Sequence, residues 1–452
     1  MNFGIVTGFL LMMLIIGILK RGKSPDIVNY YVGGRSKSVI TVTGSLVATA
    51  IGGSATIGLA GIAYSKGAPS VWWLFSGSIA LVILGIFWAG KVREYEVFTL
   101  PEILEKQYGH SSVKIVSSLV IVIAWTGIIA AQMISAGKIM SNVLPGHYKL
   151  FVILCALIFI TYTVLGGQNS VIKTDLFQSL LIFTGITAAV ISAFIKFGPL
   201  NMSQLPAGHL DFPVNGQLGF TEVFMFFMFV GTSFLAGPDM YSRILSAKDK
   251  KTAQKSVIAA AVMISVFAIL IVAAGLYARM IAPGIEAESS FQYLIVNTIP
   301  SGLQGVVFAA LLAAFLSSAD TCLLTSGIIV TNDIINPLFF KNRLNDTVKM
   351  AATKLMIVIL GAGSLVIALY VNQIIKSLLL ALTVYTSGII LPVVLGFYRE
   401  RLKINYYGAT AGIISGGAAS IIMKYFMYDK FLIYIFPAVF AVIIITSIIT
   451  SE

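Results

Sequence analysis

A long apolar segment in the second half of the chain carries polar side chains at its centre. It spans residues 302–329, which is long enough to cross a bilayer as a helix. Four polar residues lie near its midpoint: Ser317, Ser318, Asp320 and Thr321. Ionisable residues at this depth are costly, so they usually face an aqueous cavity and mark an ion or substrate path. Because Ser317, Asp320 and Thr321 share one helical face, the segment predicts a membrane helix with a polar inner side.

The composition places the whole chain in a membrane. Of its 452 residues, 58% are hydrophobic and only 11% are charged, and the mean hydropathy is +0.95. This leaves too little polar surface for a soluble protein of that length. The net charge of +12 is better explained by membrane topology than by binding of nucleic acid. Cys155 and Cys322 both lie in apolar segments, so we expect neither a disulfide nor a metal site there.

Apolar windows predict an all-α membrane protein with about thirteen transmembrane helices in one domain, residues 1–452. The windows are bounded by charges or by Gly, Pro and Asn clusters, and they lie at 2–19, 38–64, 71–90, 115–141, 148–165, 173–196, 220–242, 256–280, 302–331, 350–371, 375–397, 406–423 and 430–449. The stretches between them are too short to hold a soluble domain.

Lysine and arginine are distributed unevenly between the two sets of loops. One set, with its edges, holds 22 of the 30, including Lys20, Arg21, Lys23 and Arg243. Because basic loops stay on the cytoplasmic side, we expect a multi-pass protein of the cell membrane with its N-terminus outside and its C-terminus inside. The lipid bilayer is then the expected surrounding, and no obligate protein partner is evident.

Two of the predicted spans are interrupted at mid-membrane depth. Gly52 and Gly53 favour an unwound turn in the second span, and Gly237 and Pro238 do so in the seventh. Each of these spans opens a block of five helices. Because five is odd, the two blocks have opposite orientations in the membrane, which is the layout of an inverted repeat.

Simpler explanations of the polar features stay open. Gly52 and Gly53 could serve close packing between straight helices. Ser317 and Ser318 could bond back to carbonyls of their own helix, although the carboxylate beside them makes this less favourable. Asp175, which follows Lys173, could be a helix cap at the membrane surface, and taken alone this is the better interpretation.

Four short stretches together resemble the sodium:solute symporter family over nearly the whole chain. They are, in order, Tyr31-Val-Gly-Gly-Arg35, Thr99-Leu-Pro-Glu102, Gly166-Gly-Gln-Asn-Ser-Val-Ile-Lys-Thr-Asp175-Leu-Phe-Gln178 and Pro238-Asp-Met-Tyr-Ser-Arg243-Ile-Leu-Ser-Ala-Lys248-Asp-Lys-Lys-Thr-Ala253. Each stretch alone is a weak signal, but their order and spacing are specific. The family includes carriers of proline, pantothenate, sugars, iodide, monocarboxylates and sialic acid.

The resemblance implies a leucine-transporter-like core of two inverted five-helix repeats with extra helices at both ends. Repeat one is expected at 38–196, repeat two at 220–397, and the extra helices at 2–19 and 406–449. In such carriers a sodium site lies between the first helix of repeat one and the third helix of repeat two. By motif its ligands here are oxygen donors, which suit a hard cation: the carbonyls of Ala48, Ile51 and Ala314 and the hydroxyls of Ser317 and Ser318.

A second ion site follows from the same resemblance. Asp175 matches a carboxylate that the family places near the sodium path. Some members bind a second sodium between that carboxylate and hydroxyls on the facing helix, and the matching residues here are Ser317, Asp320 and Thr321. Because residue 320 is itself a carboxylate, two alternatives remain equal: a second bound sodium, or a protonated and hydrogen-bonded acid.

The resemblance implies sodium-coupled symport of a small organic solute by alternating access. The expected cavity wall consists of Gly52, Gly53, Ser54, Thr56, Trp72, Trp73, Gln132, Val230, Phe234 and Tyr385. This mostly small or apolar set favours an amino acid or a monocarboxylate. Proton-coupled symport is the better supported alternative, and a channel or a sensory membrane module of the same fold is less well supported. We expect no enzyme, because the sequence offers neither a catalytic triad nor a metal-ligand cluster.

Overall fold

A computed structural model of the protein describes residues 2–19, 26–144, 146–371, 374–426 and 429–451. The longer helices of its first half are α1 (Asn2–Leu19), α2 (Val39–Ala50), α3 (Ser54–Lys66), α4 (Trp72–Phe87), α5 (Ser111–Val143), α6 (Tyr148–Phe197) and α7 (residues 220–235). Those of its second half are α8 (Pro238–Ser246), α9 (Lys250–Ile281), α10 (Ser301–Ile329), α11 (Asp346–Tyr370), α12 (Ile374–Gly396), α13 (Tyr406–Tyr425) and α14 (Ile435–Ile449).

Shorter helices connect these elements, and α10 continues through a wider turn at Val330–Ile335. The short helices are Ile27–Val32, Ala89–Glu94, Leu100–Tyr108, Ser290–Thr298, Asn336–Phe340 and Arg399–Leu402. Within the described ranges, the one β-type contact is an isolated bridge between Lys37 and Ala247. The described part of the chain is therefore all-α, as the sequence predicts. Of the basic residues used for orientation, Lys20, Arg21 and Lys23 lie outside the described ranges.

Nine of the described helices are long and apolar enough to cross a membrane, or ten if one sharply bent pair counts as a span. Three features separate the count of ten from the thirteen expected spans. The windows 148–165 and 173–196 correspond to two helices that meet directly at Gly167, where the backbone is not helical (φ 59°, ψ 178°), so they are counted together as α6. The apolar helix within α1 covers only residues 4–16, which is shorter than a membrane span. The glycine-rich α13 is not apolar enough to be counted as a membrane span.

The two interruptions expected at glycines are confirmed. α2 and α3 meet at an angle of 63° across residues 51–53. α7 and α8 are separated by Ala236 and Gly237, after which Pro238 begins the new helix. Proline suits this first helical position because its missing N–H would have no helix partner there.

Helix α10 lies at the centre of the bundle. It packs against α6, α5, α2, α1 and α11, and almost all of its apolar length is buried within the protein. Its polar residues therefore face other helices and not lipid. The unwound end of α2 lies beside them, and this arrangement places the candidate site.

Candidate ion and solute site

A fully buried ion pair joins the helices around α10. Arg243 of α8 lies with Nη2 3.0 Å from Oδ2 of Asp175 in α6, and neither side chain is exposed. The Ser45 hydroxyl of α2 donates to the same carboxylate oxygen, and Ser317 of α10 donates to Oδ1 at 2.6 Å. Nη2 of Arg243 also donates to Oγ1 of Thr321. A buried ion pair is tolerated when its other donors and acceptors are satisfied in this way.

The remaining donors of Arg243 are engaged as well. Its Nε donates to Ser45 at 3.0 Å, and Nη1 donates to Ser242 at 3.1 Å and to the Gln168 side-chain oxygen at 3.4 Å. A guanidinium has five N–H groups, so each of them has an acceptor here. The positive charge of Arg243 therefore lies between Asp175 and Thr321, in the position where the sequence suggested a second metal cation.

Asp320 lies next to this cluster. It is fully buried, and its Oδ1 accepts a hydrogen bond from Oγ1 of Thr321 at 3.3 Å. Its Oδ2 has no hydrogen-bond partner, and Asp320 takes part in no ion pair of the described residues. Since Asp175 and Arg243 balance each other, a charge on Asp320 requires a bound cation, and otherwise the group requires a proton.

The two helices expected to hold the first sodium are joined by one of its expected ligands, Ser318. Ser318 of α10 donates its hydroxyl hydrogen to the carbonyl oxygen of Thr49, in the last turn of α2, at 2.8 Å. The chain leaves helical geometry at Ile51 (φ −94°, ψ 64°), so carbonyls of that turn, including Ala48, end the helix without the usual amide partners. Ala314 lies one turn before Ser318 and is fully buried.

The two neighbouring serines have different partners. Ser317 donates to Asp175 of α6, and Ser318 donates to Thr49 of α2. The alternative that both hydroxyls bond back to their own helix is therefore wrong. Ser317 also differs from the expected ligand set, because its hydroxyl is directed to the ion pair.

A cavity lies between the two broken helices. Seven of the ten expected solute-contacting residues line it: Gly52, Ser54, Trp73, Gln132, Val230, Phe234 and Tyr385. Ser318 and Thr49 line it as well. The helix-to-helix contact of the candidate ion site is thus part of the cavity wall.

Three expected cavity residues have other surroundings. The Gly53 amide donates to Oε1 of Gln132 at 2.8 Å, so Gly53 holds a cavity-lining side chain but does not line the cavity itself. Thr56 is fully buried, and its hydroxyl donates to the carbonyl of Gly52 in the break before α3 at 2.9 Å. Trp72 stacks on Phe212 of the connection before α7, with ring centroids 5.5 Å apart. Trp72 therefore packs against a connecting segment and does not line the cavity.

Sequence reasoning missed two charged residues. Arg243 was counted with the basic loop residues, but it is fully buried in the bundle. Asp239, at the start of α8, lines the cavity. Both belong to the stretch that follows Gly237, and their spacing of four residues on one helix face was the signal available.

The ends of α2 and α8 remote from the cavity are tied together. The amide of Lys37 donates to the Ser246 carbonyl at 3.1 Å, and the amide of Lys248 donates to the Lys37 carbonyl at 3.0 Å. Nε of Arg93 donates to the Ala247 carbonyl at 2.5 Å. Burial and the charge of nearby Lys173 lower the pKa of Lys37. The helices that open the two five-helix blocks are therefore linked beyond their breaks.

Related structures have the same architecture. A sodium-coupled sialic acid symporter in a substrate-bound outward-open state superposes with a TM-score of 0.81 at 19% identity, over 100% of this chain and 98% of that one. MhsT in complex with L-phenylalanine gives a TM-score of 0.61 at 12% identity, over 91% of this chain and 99% of that one. The leucine-transporter-like fold expected from the sequence is confirmed.

Sequence comparison leads to the same family. The chain is 26% identical over 438 residues to the osmoregulated proline transporter OpuE of Bacillus subtilis, covering 92% of this chain and 87% of that protein. It is 24% identical over 447 residues to a sodium/pantothenate symporter of Haemophilus influenzae, covering 94% and 91%. The profile of the sodium:solute symporter family matches residues 30–416. The match extends over most of the sequence, and the chain belongs to the sodium:solute symporter family.

Proposed function

We propose that this protein moves a small organic solute together with sodium through the cavity between its two broken helices, by alternating access. One observation carries the proposal: Ser318 lines the cavity and also bonds to the unwound end of α2 at Thr49. An ion held at that contact and a solute in the cavity would bind against the same helix break. Two ligands that favour the same conformational state are coupled through it.

The proposed first sodium ligands are Ser318 and the carbonyls of Ala48, Ile51 and Ala314. The Ser318 hydroxyl can donate its hydrogen to the Thr49 carbonyl and still offer an oxygen lone pair to a cation. Ser317 is the weakest candidate for this set, because its hydroxyl is directed to Asp175. All of these atoms are hard oxygen donors of the kind that alkali cations take.

For the second cation position, the proposal is that Arg243 takes the place of a second sodium. Its guanidinium already satisfies Asp175 and Thr321, so that position holds one fixed positive charge. One sodium then moves in each cycle. Asp320, whose Oδ2 has no partner in the described residues, supports the remaining alternative of a proton at that carboxyl.

The orientation proposed is the one expected from the basic loops, with the N-terminus outside and the C-terminus in the cytoplasm. The tied ends of α2 and α8 then lie on the cytoplasmic side. Under a membrane potential negative inside, each sodium that enters contributes about 2.3 kcal/mol per 100 mV in addition to its gradient.

The test is solute uptake into proteoliposomes as a function of external sodium. S318A should raise the sodium concentration for half-maximal uptake by about tenfold, because it removes one oxygen ligand of a buried ion. Ser326→Ala is the matched control, since Ser326 is a buried serine of the same helix outside the cavity. Uptake by S318A with wild-type sodium dependence would contradict the sodium site.

Proton coupling is separated from sodium coupling by a second measurement. A pH gradient without sodium should drive little uptake in the wild type, and D320N should leave the sodium dependence in place. Strong uptake driven by protons alone, and lost in D320N, would make Asp320 the coupling group and favour the alternative.

A further inference from the structure

The solute cavity contains a carboxylate, Asp239, that forms no ion pair among the described residues. None of the other lining residues is basic or acidic. A carboxylate at this depth, in a cavity of low polarity, is costly unless a positive charge or a proton faces it.

The nearest arginine on the same helix is not available to Asp239. Each N–H group of Arg243 has an acceptor elsewhere, and its ion pair is with Asp175. Asp175 and Asp239 therefore differ in whether a positive charge is paired with them. Asp175 has a resident cation, whereas Asp239 does not.

A hydrogen bond at the start of α8 offsets part of the cost of burying a charge on Asp239. Its Oδ1 accepts the amide hydrogen of Met240 at 2.9 Å, in the first turn of α8. The amides at a helix N-terminus carry partial positive charge, which favours an anion there. None of the hydrogen bonds of the described residues goes to Oδ2, so this oxygen is free to meet a ligand.

The rest of the wall suits an organic cation. Four aromatic side chains line the same cavity: Trp73, Trp125, Phe234 and Tyr385. Aromatic faces attract ammonium groups, and Trp does so most strongly. Tyr385 is fixed by a hydrogen bond from its hydroxyl to the carbonyl of Ala236, three residues before Asp239. The carboxylate and the aromatic ring are thus held at the same break.

We infer that the transported solute carries a positively charged nitrogen and that Asp239 binds it. This inference rests on the proposed function and narrows its solute to amines, ammonium compounds or amino acids. It excludes simple monocarboxylates, because their only charge would face the Asp239 carboxylate without a basic side chain in the wall. The positive nitrogen would be the oppositely charged partner that the Asp239 carboxylate lacks.

Matched pairs of solutes test the inference on the purified full-length protein. Proline against cyclopentanecarboxylate, and choline against 3,3-dimethylbutan-1-ol, differ mainly in the charged nitrogen. Thermal unfolding in saturating sodium gives the affinity of each, because a ligand of the native state raises the apparent melting temperature. We expect at least one nitrogen-bearing member to bind and its partner to bind tenfold more weakly or worse.

The variant D239N should weaken binding of the nitrogen-bearing solute by at least about tenfold, since the amide keeps the shape but loses the charge. Asp249→Asn is the matched control: Asp249 lies outside the cavity, where its side chain accepts the Thr252 amide hydrogen at the start of α9, and asparagine can keep that bond. D249N should bind within threefold of the wild type.

Three results would overturn the inference: no nitrogen-bearing solute binds, the uncharged or anionic partner binds equally well, or D239N keeps the wild-type affinity. Stabilisation by sodium without a solute distinguishes failure of this inference from failure of the proposed function. If sodium stabilises the wild type and D239N equally, sodium binding stands whatever the solutes do. If sodium stabilises neither, it is the proposed function that fails. If D239N alone loses the sodium response, Asp239 holds the ion and the inference is wrong.

Discussion

Replacing Arg243 with Met removes a buried positive charge while keeping much of the side-chain volume. Asp175 would lose the guanidinium 3.0 Å from its Oδ2. Breaking a buried ion pair by removing one partner costs about 3–5 kcal/mol, because the other charge stays buried without compensation. We therefore expect R243M to lower the free energy of unfolding by about that amount at low sodium.

Sodium should recover part of this loss. In R243M the space between Asp175 and Thr321 would face two carboxylates, Asp175 and Asp320, with no resident cation. An ion that binds only the native state stabilises it by about 1.4 kcal/mol for each tenfold rise in concentration above its dissociation constant. The unfolding free energy of R243M should therefore rise with sodium more steeply than that of the wild type, by up to that amount.

The assay is reversible unfolding in SDS, followed by tryptophan fluorescence, over a range of sodium concentrations at constant ionic strength. Arg93→Met is the control, because Arg93 is also buried, but its Nε donates to the Ala247 carbonyl and its ion pair is with the exposed carboxylate of Glu96. The double variant D175N/R243M removes both charges and should be more stable than R243M by about 2 kcal/mol or more. Additive losses together with an unchanged sodium dependence of R243M would refute a fixed cation at this position.

Three further predictions concern single positions. Gly53→Ala should abolish uptake, because its Cβ would lie 2.1 Å from Oγ of Ser135, and G53A/S135G should restore part of it; wild-type uptake by G53A would contradict this packing. Gly167→Ala should lower the unfolding free energy by about 1–3 kcal/mol, because φ is +59° there; an unchanged unfolding curve would argue against this strain. Burial lowers the pKa of His209, so stability should fall as the pH drops below 6.5; H209N should show a smaller fall, and equal profiles would exclude His209 as the cause.

Much of the fold could be predicted from apolar length alone, because a membrane requires long helices. The breaks could be predicted as well, since paired glycines at mid-membrane depth favour an unwound turn and Pro238 has no amide hydrogen to donate within a helix. Hydropathy does not reveal how two helices are joined. The windows leave a gap at residues 166–172, whereas the two helices of α6 meet directly at Gly167.

The candidate site was only partly predictable. Ser318 and Asp320 stand out because polar residues interrupt an apolar run. Arg243 does not, because it follows a break and precedes a lysine-rich segment, where an arginine normally faces the cytoplasm. Its burial depends on Asp175, which is 68 positions earlier in the chain, and single-sequence reasoning does not pair residues over that separation. Asp239 was missed as well, because it resembles an acidic residue in the first turn of a surface helix.

The buried cluster also bears on which helices move. Ser45 and Arg243 join α2 to α8, and the backbone pairing at Lys37 joins them again. Arg243 joins both to α6 through Asp175. Because separating that ion pair in a dry interior would cost several kcal/mol in every cycle, we expect α2, α8 and the adjoining part of α6 to move as one body. The bending then falls on the breaks, so α3 and α7 are the segments that open and close over the cavity.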